Sequence, residues 1–157
     1  MAVILIEDPQ NCILMKNVVL VSLFGLIIVS FFSFRMKPSF DLKASIARGK
    51  EIYTAQCITC HMEQGEGMEG VYPPVAKSNF LANRDRLIKI ILKGMRGPIT
   101  VNGTAYDSEM VGFELTDEQA SDVINYVRNS WGNKHPAVQP SEIAAGLGTK
   151  SAEYTPY

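Results

Sequence analysis

The chain is poor in the residues that usually organise a metal or disulfide scaffold: 157 residues carry three cysteines, two histidines and one tryptophan. Three cysteines, one of them (Cys12) alone ahead of an apolar run, do not make a disulfide framework. Two histidines cannot supply the second ligand pair of a structural zinc site, because His135 lies far along the chain from His61. Formal net charge is -1, so no excess of one sign points to nucleic acid or to an acidic substrate. There is no internal repeat, no low-complexity run and no alternation of strands with helices of the kind a thioredoxin-like thiol pair would need.

What is present is concentrated in five residues. Cys57-Ile58-Thr59-Cys60-His61 has the spacing with which two thiols add across the two vinyl groups of a haem. One helical turn sets both sulfurs beside one porphyrin edge and aims the following imidazole at the iron. The motif therefore implies one covalently attached haem c, with Cys57 and Cys60 binding the cofactor and His61 as a metal ligand. A haem-free thiol protein is the rival reading.

The second axial ligand of an electron-transfer haem is commonly a methionine, whose thioether favours the reduced iron. Met15 and Met36 fall outside the folded part, and Met62 is too close to His61 to reach round the ring. Met68, Met95 and Met110 remain. Met110 is preferred, because the 49 residues after His61 let the chain wrap the haem and return before the last helix. Met95 is the runner-up. Pro73 or Pro74 offers a carbonyl for the His61 Nδ1–H, which would fix the ring and raise its basicity.

Hydropathy and punctuation divide the chain into a short segment 1–16, an apolar segment 17–34, a linker 35–44, a folded domain 45–132 and a tail 133–157. Residues 17–34 contain no charge and no proline, and as a helix would reach about 27 Å, close to a bilayer's hydrocarbon thickness. Phenylalanines crowd the positions where a leader peptidase wants small residues, so an uncleaved anchor is favoured over a removed signal. Met15-Lys16-Asn17 before the apolar run resembles the start of an export signal, which makes Met15 a candidate start.

Within the domain a helical pattern begins at Ser45, read as the N-cap, and carries Ile46, Gly49, Ile52 and Tyr53. Residues 62–80 are a Gly/Pro loop. Asn83 to Lys93 is helical, closed by Gly94. Asn102-Gly103 marks a tight turn. Thr116-Asp-Glu-Gln119 is a capping box opening a helix to about Trp131. The tail offers one helical turn at Ser141–Leu147 and otherwise looks loose. Residues 77–96 are basic and 107–122 acidic, a charge division that could orient a partner or be two solvated faces.

With these residues placed, the chain resembles the class I monohaem cytochromes c over about residues 45–132. The likeness rests on Gly49-x-x-x-Tyr53, the Cys57–His61 motif, Tyr72-Pro73-Pro74-Val75, a methionine before the final helix, and Val123-x-x-Tyr126. The stretch from Ile99 to Met110 with Tyr126 to Gly132 is similar to the haem c domains found with copper nitrite reductases and quinoprotein dehydrogenases. That subgroup commonly has proline after the methionine, where this chain has Val111-Gly112.

The resemblance implies an all-α domain of three main helices around one haem, here with an N-terminal transmembrane helix. It also implies contact of Gly49 with Tyr126 on the last helix, the proximal carbonyl on Pro73, and haem contacts from Tyr72, Val75 and Tyr106. The expected function is single-electron transfer between redox protein partners in a larger respiratory complex, with the haem domain on the periplasmic side of a bacterial cytoplasmic membrane. The protein is expected to be a carrier and not itself an enzyme. A tethered or soluble periplasmic shuttle is the alternative, and a haem enzyme or gas sensor with an open distal site is the alternative of another class.

Overall fold

The computed structural model describes residues 17–22, 39–150 and 154–156. The chain forms two units, 1–39 and 40–157. In the first, residues 17–22 are helical, with Val18, Val19, Leu20 and Val21 more than half exposed. Residues 23–34, which hold most of the expected anchor, lie outside the described residues. Among the described residues no helix is long and apolar enough to cross a membrane.

The second unit is mostly helical: α1 (Leu42–Gln56), α2 (Ile58–His61), α3 (Arg84–Lys93), α4 (Asp117–Arg128) and α5 (Ile143–Gly148), with one short hairpin, β1 (Ile99–Val101) and β2 (Thr104–Tyr106). Helix α1 begins three residues before the expected Ser45. Its N-cap is Asp41, whose carboxylate accepts the N–H groups of Lys43 and Ala44 at 2.9 and 3.1 Å. Ser45 is inside the helix and fully buried, where its hydroxyl donates to Asp122 at 2.6 Å. Helix α4 starts at the expected capping box, with Thr116 and Gln119 each accepting the other's backbone N–H, but stops at Arg128 and not near Trp131.

Helix α1 crosses α4 at close range. A Cβ on Gly49 would meet the Asp122 carbonyl oxygen at 2.0 Å and Tyr126 Cβ at 2.9 Å, so only hydrogen fits. Around it Tyr53, Tyr126 and Trp131 pack with ring centroids 5.0 to 5.3 Å apart, each pair contributing about 0.5–1.5 kcal/mol beyond area burial. A polar seam runs alongside. Arg48 reaches Asp122 through Nε at 2.6 Å and Nη2 at 2.8 Å, and Asn125 Nδ2 donates to Ser45 at 2.9 Å.

The tail, expected to be loose apart from one helical turn at Ser141–Leu147, is a packed strap that carries α5. Val138 and Ile143 are fully buried, and Asn125 both accepts the Val138 N–H and donates to its carbonyl at 2.8 Å. Arg84 pairs with Glu142, and Gly146 lies on Ile88. Val138 stands apart from any apolar period, which is why the segment ahead of that turn reads as loose in one dimension. The basic stretch 77–96 is likewise not a free charged face: Arg86 stacks 3.6 Å over the Phe80 ring, Lys89 donates to the Thr149 carbonyl, and both are buried.

Candidate haem site

The thiol pair sits where α1 ends. Cys57 caps α1 and opens the single turn α2, with the N–H groups of Cys60 and His61 returning to the Cys57 carbonyl at 3.2 and 3.0 Å. Met62 then takes φ +63°, ending the turn, and Tyr53 Oη holds the Met62 carbonyl at 2.7 Å. Both thiols are free and half-buried. Burial, and then the neighbouring Cys60, push the Cys57 thiol up to about 11, so it is protonated at neutral pH.

His61 is oriented by the loop that follows. Its Nδ1 lies 3.0 Å from the Pro73 carbonyl. A carbonyl only accepts, so Nδ1 carries the proton. Burial lowers the His61 pKa, opposed by the bond to Pro73, so the ring is neutral and its Nε2 lone pair is bare. Pro73 is held by a folded-back loop in which Gly65 O accepts the N–H groups of Val75 and Ala76 at 2.8 Å. Gly67, at φ +63°, lets this loop close, since a Cβ there would lie 2.4 Å from the Tyr72 carbonyl.

The two candidate methionines are partners. Met95 and Met110 exchange both backbone hydrogen bonds, at 2.8 and 2.9 Å, as an isolated antiparallel bridge. Residues paired in this way project from the same face. The pairing continues the register of the β1–β2 hairpin, in which Ile99 faces Tyr106 and Val101 faces Thr104 across Asn102-Gly103, both at positive φ. Beyond it the Phe113 N–H donates to Ile91 O at 2.9 Å and pins the exit of the loop.

One cavity of about 250 Å³ gathers these groups. Cys57, Cys60, His61, Tyr72, Pro73, Val75, Tyr106 and Met110, every site residue expected from the sequence, line it, and so does Met95. Met68 does not; it is exposed and bridges Tyr72. The remaining wall is mostly apolar, from Leu81, Leu87, Ile90 and Ile91 on the α3 side to Val123 and Val127 on α4. A helix face packed on a cofactor has the same periodicity as one packed on protein, so the sequence alone does not separate the two.

Two thiols, one bare imidazole nitrogen and thioethers around a mostly apolar space suit a flat iron macrocycle held by two sulfur links. Fold and site together define a small helical carrier of covalent haem. Comparison with known proteins agrees. The family model described as cytochrome c matches residues 46–131. Cytochrome c-552 of Thermus thermophilus is 39% identical over 93 residues, covering 55% of this chain and 70% of that protein. The cytochrome c subunit of the quinone alcohol dehydrogenase of Gluconobacter oxydans is 34% identical over 108 residues, 66% of this chain but 22% of the subunit. The gluconate 2-dehydrogenase cytochrome c subunit of Pantoea cypripedii is 33% identical over 104 residues, 63% of this chain and 23% of that protein. The match thus spans less than a quarter of those dehydrogenase subunits.

The chain belongs to the cytochrome c family. Its cofactor is haem c, bound covalently, and its activity is electron transfer by one haem.

Proposed function

We propose that Cys57 and Cys60 carry the thioether links, that His61 and Met110 are the axial ligands, and that the protein is a membrane-anchored cytochrome serving as one subunit of a respiratory complex. The observation that carries this reading is the His61–Pro73 hydrogen bond at 3.0 Å, which leaves Nε2 free in a cavity shared with both thiols and Met110. When bound, haem c supplies an iron that gains and loses one electron.

The chain's own residues do the rest. The Pro73 carbonyl keeps the imidazole in one tautomer and raises its donor strength. The Met95–Met110 bridge and the Phe113 anchor hold the distal loop still, so that neither ligand has to move between oxidation states. The apolar wall from Leu81 to Ile91 keeps water from the macrocycle, which favours the less charged, reduced form. Tyr72, Val75 and Tyr106 complete the contact surface.

Anchoring rests on the uncharged residues 17–34, and the periplasmic location on export through that segment. The names of the relatives from Gluconobacter and Pantoea, cytochrome c subunits of dehydrogenases, support membership of a complex. Because α1 begins at Leu42, only residues 35–41 separate the apolar segment from the domain, which suits a fixed subunit better than a shuttle of long reach. Haem staining that survives denaturing electrophoresis, and that disappears in Cys57→Ala/Cys60→Ala, tests the attachment. Recovery of the protein with a larger redox assembly in mild detergent tests the complex. Rapid carbon monoxide binding by the reduced protein would instead favour an enzyme or sensor with an open distal site.

A further inference from the structure

Among the described residues, three that line the haem cavity are also exposed: Gln56, Glu109 and Val111. They mark its mouth, between the end of α1 and the Met110 loop. Next to that mouth lies the 62–76 loop, joined to the 107–116 loop by the Ser108 hydroxyl, which donates to the Val71 carbonyl at 2.7 Å. Among the described residues of this unit, the large apolar side chains left exposed are Met68 (47%), Val71 (40%) and Val111 (52%). All three lie on these two loops.

The charge on the same loops has one sign. Residues 62–76 carry Glu63, Glu66 and Glu69, all exposed, and no lysine or arginine. Residues 107–116 carry Asp107, Glu109 and Glu114, all exposed, and again no lysine or arginine. Elsewhere the positive charge is partly engaged: Arg48 is held by Asp122, Arg84 by Glu142, and Arg86 and Lys89 are buried. A chain of nearly neutral total charge therefore presents a local acidic field around an apolar centre, at the opening of its cofactor cavity.

Resting on the electron-carrier reading above, we propose that this mouth is the docking face, and that it fits a redox protein with a basic rim around an apolar contact at its own electron entry site. The carboxylates steer the encounter over a Debye length, and Met68, Val71 and Val111 supply the short dry contact through which the electron passes. The basic stretch 77–96 has no part in it.

Two small oxidants of opposite charge report the field at the mouth. The reduced, haem-loaded protein gives one electron to tris(phenanthroline)cobalt(III), a trication that becomes cobalt(II), or to ferricyanide, a trianion that becomes ferrocyanide. Stopped-flow rates are read as salt rises from about 10 mM to about 500 mM, a range over which the Debye length falls from roughly 30 Å to a few ångströms. The expected result is a fall of about fivefold or more with the cobalt complex and a rise with ferricyanide. In Glu69→Gln/Asp107→Asn/Glu109→Gln both dependences flatten, and in Glu69→Lys/Asp107→Lys/Glu109→Lys they invert.

Salt dependences as weak as a net charge of -1 implies, or unaltered in both variants, would overturn the proposal, as would a salt-resistant dimer through this face in sedimentation. An unchanged visible spectrum confirms that each variant has folded round its haem. Failure to exchange electrons with either reagent would sink the carrier reading itself, whereas exchange with both and no discrimination by charge removes only the docking face.

Discussion

Replacing Gly49 by alanine asks whether the α1–α4 crossing is as tight as its geometry indicates. The added methyl would sit 2.0 Å from the Asp122 carbonyl oxygen, 2.5 Å from its carbon and 2.9 Å from Tyr126 Cβ, whereas ordinary contact begins near 3.4 Å. Helical backbone cannot rotate away, so the helices must part by about 1.4 Å along that line. Overpacking of this kind costs about 1–3 kcal/mol, and more when backbone has to move. The separation also loosens the Arg48 and Ser45 bonds to Asp122 and the Tyr53–Tyr126 ring contact, for about 1–2 kcal/mol further. Alanine's better helix propensity returns about 1 kcal/mol. The balance is a loss of about 1–4 kcal/mol, or a fall in Tm of roughly 4–20 °C for a domain of this size. Far-ultraviolet circular dichroism melts of the haem-loaded protein measure it. Gly148→Ala, where nothing lies within 4 Å, is the control and leaves Tm within about 2 °C. A Gly49→Ala protein as stable as wild type would refute the reasoning.

The remaining expectations concern the strap and its surroundings. Asn125→Ala leaves the buried Val138 N–H without its partner, while the Val138 carbonyl keeps the Ser121 hydroxyl at 2.7 Å, and urea unfolding should show a loss of about 1–3 kcal/mol. Ile143→Ala, at a fully buried position outside the expected domain, should cost about 2–4 kcal/mol by the same assay; a change below 0.5 kcal/mol would mean the strap does not contribute to the core. His135 has its pKa lowered, first by burial and then by Arg128. The unfolded chain therefore takes up a proton below its ordinary value of 6.5 more readily than the folded one, so this group's contribution to stability is present above pH 6.5 and lost as pH falls below it. Urea midpoints at pH 7.5 and 5.5 should converge in His135→Gln relative to wild type.

How much of this was legible in one dimension depended on whether a feature was local. The thiol turn, the proline carbonyl, the Thr116 capping box and the Asn102-Gly103 hairpin each rest on a few neighbouring residues, and each formed as expected. The hairpin held more than was drawn from it: once the turn sets the register, Met95 must face Met110, seven residues to either side. Three features were hidden because they are tertiary. Ser45 and Asp41 are equally good N-cap types, and only the approach of Asp122 draws Ser45 inward. Arg86 and Lys89 look like surface charge until Phe80 and Thr149 are folded against them. Val138 and Ile143 likewise acquire meaning only from the core they share with α3 and α4.

The central claim is a haem held by Cys57 and Cys60 with His61 and Met110 on its iron, and the sharpest measurement is the far-red absorbance that an iron–thioether bond gives the oxidised protein. It should be present in wild type and Met95→Leu and absent in Met110→Leu. Its persistence in Met110→Leu together with its loss in Met95→Leu would move the ligand to the other side of the bridge, and its absence from wild type would contradict the account.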